Sequence, residues 1–186
     1  MAIEGYGCYT IQSSLGQPGR DCYIHIPGAG IDAGRVISVW GYDTRGVDFT
    51  DHFEFVLIPA AGVDNVFSLV SRRSGLPLRA RGDHVTQGVA SDTTQTERTD
   101  QGAQWVVEQV DDELRIMSLL TGNYLAPRDF KTVNGTQLAL VAPVLQPGLD
   151  DRVRRFRLTK VASLMGPVPE PAKAKATRIA KLKDLD

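Results

Sequence analysis

Few residues in this chain are equipped for covalent chemistry. There are three histidines, His25, His52 and His84, and their spacings do not match a metal-ligand pattern. Cys22 and His25 are three positions apart. On a strand that separation sends the two side chains to opposite faces, which argues against a thiolate–imidazole pair. The acidic run Asp111-Asp112-Glu113 reads as a hairpin tip rather than as paired catalytic carboxylates. No glycine-rich phosphate loop and no nucleophile elbow occurs. The sequence therefore predicts no enzyme, no cofactor and no metal site. Two short matches are explained locally. Arg81-Gly82-Asp83 matches the tripeptide that integrins read, and it reads as part of a loop. Asn134-Gly135-Thr136 fits the N-glycosylation pattern, but Asn-Gly is also a strong tight-turn pair, since both residues tolerate positive φ.

Composition narrows the classes further. The chain has 186 residues, 42% apolar and 23% charged, which suits one well-buried domain. A formal net charge of -1 gives no reason to expect a nucleic-acid surface. No stretch approaches the roughly 18 apolar residues of a membrane span. The first residues, Met1 to Gly7, lack the charged start and apolar core of a signal peptide. The expected location is cytoplasmic, or outside after export without a signal peptide. Cys8 and Cys22 read as small buried thiols, with one bridge tying down the N-terminal strand as the alternative.

The elements that must position any site show a beat. Phe55, Trp105 and Phe156 lie 50 and 51 residues apart. Each follows a polar loop and opens a short apolar strand. Phe67-Ser68-Leu69-Val70 with Ser74-Gly75-Leu76-Pro77-Leu78 is answered 47 residues on. There the chain reads Leu114-Arg115-Ile116-Met117-Ser118 with Thr121-Gly122-Asn123-Tyr124-Leu125. Tyr9-Thr10-Ile11 followed by Gly19 to Ile24 is a looser first copy. A repeat near this length marks one supersecondary unit copied several times. Each unit holds about four short strands between Gly, Asp, Asn and Ser turns. Nothing before residue 160 has sustained helical periodicity. Three such copies predict a closed threefold all-β body.

The order of strand, Ser-Gly-x-Tyr-Leu, Gly-Thr turn, then polar loop into a core aromatic resembles the ricin-type (R-type) β-trefoil lectins. The resemblance covers roughly residues 6 to 160, and the three core aromatics fall where that family carries the Trp of its Gln-x-Trp motif. It implies a ricin-type β-trefoil domain over residues 1–163. It also implies a lectin-like, non-catalytic binding module whose partner is a glycan or glycoprotein. A site of that family would need an Asp after the Tyr-Leu strand, a stacking aromatic, and an Asn or Gln before the core aromatic. In the second unit the Asp position falls on Arg79, the ring position near Thr94, and the amide positions on Gly102 and Ala103. In the third, Ala126, Val141, Val153 and Arg154 stand in those places. The first unit keeps Trp40 for stacking, with His25 in place of the Asp. Ser38 could hydrogen-bond, and Asp51 and His52 lie near the amide position. At most one carbohydrate site is therefore expected, made by His25, Ser38, Trp40, Asp51 and His52.

The alternative function is protein binding by a trefoil that has lost sugar recognition. Long polar loops can serve a protease inhibitor, and Arg98 (loop 91–102) or Arg45 (segment 41–51) could enter a trypsin-like pocket. Residues 164–186 carry a Pro-rich linker signal followed by a basic, helix-prone tail with a narrow apolar edge of Ile179, Leu182 and Leu185. That tail could dock the domain into a larger assembly, although a helix this short is marginal alone.

Overall fold

The computed structural model describes residues 7–17, 20–42, 51–60, 62–88 and 101–161. Its strands are β1 (Gly7–Gln17), β2 (Arg20–His25), β3 (Ser38–Tyr42), β4 (Glu54–Pro59), β5 (Val66–Ser71), β6 (Leu78–Arg81), β7 (His84–Gln87), β8 (Gln104–Val110), β9 (Glu113–Ser118), β10 (Tyr124–Pro127), β11 (Thr136–Val141) and β12 (Phe156–Lys160). Every named pairing is antiparallel. Six strands close a ring: β1 pairs β4, then β5, β8, β9 and β12 follow in turn, and β12 returns to β1. Closure satisfies the backbone donors and acceptors that an open sheet would leave at its edges. The other six strands form the hairpins β2–β3, β6–β7 and β10–β11. These three hairpins touch one another through β3–β11, β11–β7 and a bridge between Val36 and Thr86.

The beat read from the sequence is the core itself. Phe55, Trp105 and Phe156 are each fully buried, among Ile11, Leu57, Leu69 and Ile116. Burying a side chain of this size contributes about 1.5–3 kcal/mol. Trp105 also donates its indole N–H to the Leu78 carbonyl at 3.1 Å, so its one polar atom is satisfied in the interior.

The 47-residue repeat is visible bond for bond. After β5, the Gly75 amide donates to the Ser71 carbonyl and the Ser74 amide donates to the Ser71 hydroxyl. After β9, the Gly122 amide donates to the Ser118 carbonyl and the Thr121 amide donates to the Ser118 hydroxyl. Gly75 and Gly122 have φ of 68° and 69°, a region that favours glycine.

Asp111-Asp112 is the tip of the β8–β9 hairpin, as expected, with Val110 opposite Glu113. Arg81-Gly82-Asp83 closes β6–β7, where Arg81 pairs with His84. The Asp83 carboxylate is ion-paired with Arg128 at 3.2 Å and bonded to His84 at 3.1 Å. Cys8 and Cys22 are buried thiols without a disulfide. Burial first, then the Glu54 charge, pushes the Cys8 thiol up to about 11. Among the described residues no helix is long and apolar enough to cross a membrane. The division between residues 1–163 and 164–186, with Ile179, Leu182 and Leu185, falls outside the described residues, as do Arg45 and Arg98.

Candidate functional site

The site is built on the β2–β3 hairpin. Tyr23 lies opposite Trp40, Ile24 opposite Val39, and His25 opposite Ser38. Side chains alternate along a strand. Ile24 and Val39 enter the core, so Tyr23, His25, Ser38 and Trp40 share the other face. A 3₁₀ turn, Asp51–Phe53, closes over that face. It is tied there by the Ile26 amide, which donates to the His52 carbonyl at 3.0 Å.

His25 is the hub, 7% exposed. Its Nδ1 lies 3.5 Å from the Ser38 hydroxyl. Its ring centroid is 5.4 Å from that of Trp40, 5.0 Å from that of His52 (edge-on) and 4.8 Å from that of Phe53. Trp40 closes the stack on the outside and remains 40% exposed. Asp51 joins through its neighbours: Arg73 Nη1 is 3.1 Å from one carboxylate oxygen, and His52 Nδ1 is 4.0 Å from the other. The structure thus brings together His25, Ser38, Trp40 and His52, with Asp51 on the rim.

The electrostatics keep this cluster uncharged at its centre. Burial, and secondarily the neighbouring His52, lowers the His25 pKa to about 4. Burial also lowers that of His52, with Asp51 pulling it upward and Arg73 downward. A neutral imidazole offers one donor and one acceptor. The site therefore presents a flat apolar ring beside a mixed set of donors and acceptors. Among the described residues no three His, Cys, Asp or Glu side chains are grouped to hold a metal ion.

The other two units carry the same hairpin with different side chains. Leu78 opposite Gln87, and Leu125 opposite Leu140, take the place of Ile24 opposite Val39. Arg79 and Ala126 therefore stand where His25 does. Val141 stands where Trp40 does in the third unit. In the second that place belongs to Gly88, whose amide donates to the Pro77 carbonyl at 3.0 Å. This corrects the expectation of Thr94. The β6–β7 hairpin turns in two residues, whereas β2 and β3 are joined by residues 26–37, so the ring position comes earlier than a constant offset predicts. The Arg79 side chain covers Gly88, and a Cβ there would sit 2.6 Å from Arg79 Cδ.

Three contributors were not read from the sequence. Phe53 packs on His25, Arg73 holds Asp51, and the turn before β11 flanks Trp40. Phe53 had a signal, since it lies two residues before Phe55 as Ala103 and Arg154 do before Trp105 and Phe156.

No protein-family model matches this sequence, and no curated protein matches it. Solved structures do match its fold. A designed three-fold symmetric protein, ThreeFoil, matches with a TM-score of 0.64 at 18% identity, covering 83% of this chain and 99% of that one. The fold is a β-trefoil. The Macrolepiota procera ricin B-like lectin, solved with lactose, matches this trefoil with a TM-score of 0.62 at 13% identity, over 87% of this chain and 100% of that one. An exo-β-1,3-galactanase from Clostridium thermocellum matches with a TM-score of 0.62 at 15% identity, over 86% of this chain but 31% of that one. At these identities the likeness establishes the all-β trefoil architecture expected from the repeat and nothing finer.

Proposed function

We propose that this trefoil is a non-catalytic, carbohydrate-binding module with one site, in its first unit, whose partner is a glycan or glycoprotein. The observation that carries the reading is Trp40. It is a half-exposed indole on a packed bed of His25, His52 and Phe53, at a position covered or non-aromatic in the other units. A sugar has an apolar C–H face and a polar edge. Its apolar face excludes water against a ring, and its hydroxyls then need both donors and acceptors, because an unpaired polar group held from water is costly. Ser38 and His52 can donate and accept. Asp51 accepts, and its Arg73 partner leaves it acceptor capacity for a sugar diol. Lectin structures among the fold matches support the same reading.

A glycan array probed with wild type and Trp40→Ala tests the proposal. The expected result is binding that Trp40→Ala removes while the melting temperature stays within a few degrees. Silence across the array sinks it. The protein-binding reading through Arg45, Arg98 or the C-terminal tail would then be tested by pull-downs with and without residues 167–186.

A further inference from the structure

Trp40 does not border the first unit alone. One edge of its ring borders the turn before β11, an element of the third. The Gly135 amide donates to the Val39 carbonyl at 3.0 Å, which brings the turn before β11 beside the indole. Gly135 has φ of 83°, and a Cβ built on it would lie 3.9 Å from the Trp40 ring. The next bond fixes a side chain there. The Gly41 amide donates to Asn134 Oδ1 at 2.6 Å. With that oxygen held, the Asn134 NH₂ group is left as a pair of donors next to Trp40, and among the described residues nothing accepts from it.

The register adds a second amide. Gln137 lies directly opposite Ser38, and directly opposed residues of an antiparallel pair share a face. Leu138 and Leu140 enter the core, so Gln137 points to the side that carries Ser38, His25 and Trp40. It is exposed, and its amide has no partner among the described residues. His25, Ser38 and Gln137 thus form one row across β2, β3 and β11. Neighbouring strands are about 4.8 Å apart, so the row spans two strand spacings. A single sugar ring stacked on Trp40 engages one end of it. Gln137, at the other end, lies beyond a ring so placed, and Asn134 flanks the same indole from Gly41.

We propose that Gln137 and Asn134 form a second subsite, so that the site takes a glycosidically linked oligosaccharide of at least two residues. One sugar lies on Trp40 and the next lies over β11. This rests on the carbohydrate-binding reading above. A primary amide donates and accepts in one plane, which suits it to adjacent hydroxyls of a sugar. Both amides are uncharged, so the subsite favours a neutral saccharide.

Calorimetric titration separates the two claims. Wild type, Trp40→Ala and Gln137→Ala are each titrated with galactose, glucose, mannose and N-acetylglucosamine, as monosaccharides and as their linear di- and trisaccharides. The expected wild-type result is a disaccharide bound about five- to tenfold more tightly than its monosaccharide, the gain of one or two hydrogen bonds. Gln137→Ala should reduce that gain and leave monosaccharide affinity unchanged, while Trp40→Ala weakens both. Equal wild-type affinities for mono- and disaccharide, or an undiminished gain in Gln137→Ala, overturns the second subsite alone. No wild-type binding to any probe, or binding indifferent to Trp40→Ala, overturns both claims.

Discussion

The first and third units put the same hairpin to opposite uses. In the first, Tyr23 lies opposite Trp40, and an uncharged stack of rings ends in an exposed indole. In the third, Tyr124 lies opposite Val141, and the space above is filled with charge. The Arg154 guanidinium lies 4.7 Å from the Tyr124 ring centroid, in the place that Phe53 takes in the first unit. Asp151 binds Arg154 and Arg155, each at 2.7 Å, and also Arg115. The Tyr124 hydroxyl donates to Glu108 at 2.9 Å. The backbone platform is the same, but one leaves its ring exposed and the other is covered by its own charged side chains. In a repeated fold the character of each surface is decided by a few residues on a fixed frame, and it can differ from copy to copy without cost to the others.

The largest expected effect is on the open platform. Trp40→Ala should weaken saccharide binding by roughly 30-fold, the equivalent of about 2 kcal/mol of lost ring contact. Unfolding free energy in urea should change by less than about 1 kcal/mol, as is usual for a part-exposed side chain. On the sealed platform the balance reverses. Asp151→Asn should leave binding untouched and cost about 2 kcal/mol of stability, because three guanidinium groups lose a charged acceptor. A variant that moved both quantities on either platform would break the contrast.

Acid should also part the two regions. The folded His25 pKa of about 4 is below the ordinary value of 6.5, so the unfolded chain binds the extra proton first. The stability that His25 contributes as a neutral group is complete above pH 6.5 and is lost as pH falls toward 4. Between pH 6.5 and 5, wild type should lose stability that His25→Gln keeps, on the order of 1–2 kcal/mol, measured by urea unfolding at each pH. Asp151 behaves the other way. Burial opposes its charge, but Arg115, Arg155 and Arg154 outweigh burial and hold the carboxyl well below its usual range. Its contribution is therefore intact across that whole window and is lost only at much lower pH. The smallest expected effect is a null one. Val141→Trp should leave the stoichiometry at one saccharide per chain, since Arg154 already occupies the space beside that ring. A second equivalent by calorimetry would show that the missing aromatic alone had closed the third unit.

The sequence made the core more legible than the site. Phe55, Trp105 and Phe156 could be read because core positions demand large apolar side chains at fixed places in each unit. The tight turns at Gly75 and Gly122 could be read because positive φ restricts the residue type. That His25, Ser38, Trp40 and His52 would lie together could be read because all four fall within one unit. Arg73 and Gln137 carried no such mark. Both reach the first unit by long-range pairing, and an exposed polar residue is compatible with almost any strand position. Gly88 was missed because hairpin length varies between units, and counting residues along the chain cannot register that change.

The pairing of β1 with β12, running from Tyr9 opposite Lys160 to Ser13 opposite Phe156, has a consequence for how the molecule is made. The barrel is a ring of strands with its seam between the first and the last. During synthesis the seam cannot close until Lys160 has emerged, so folding must follow translation of nearly the whole domain rather than accompany it. Contacts so distant in sequence also slow folding. Once closed, the ring holds residues 9 and 160 side by side. A circularly permuted chain, joined across that seam and opened at the exposed Asp111-Asp112 turn, would keep every strand pairing and lose only the covalent link between β8 and β9.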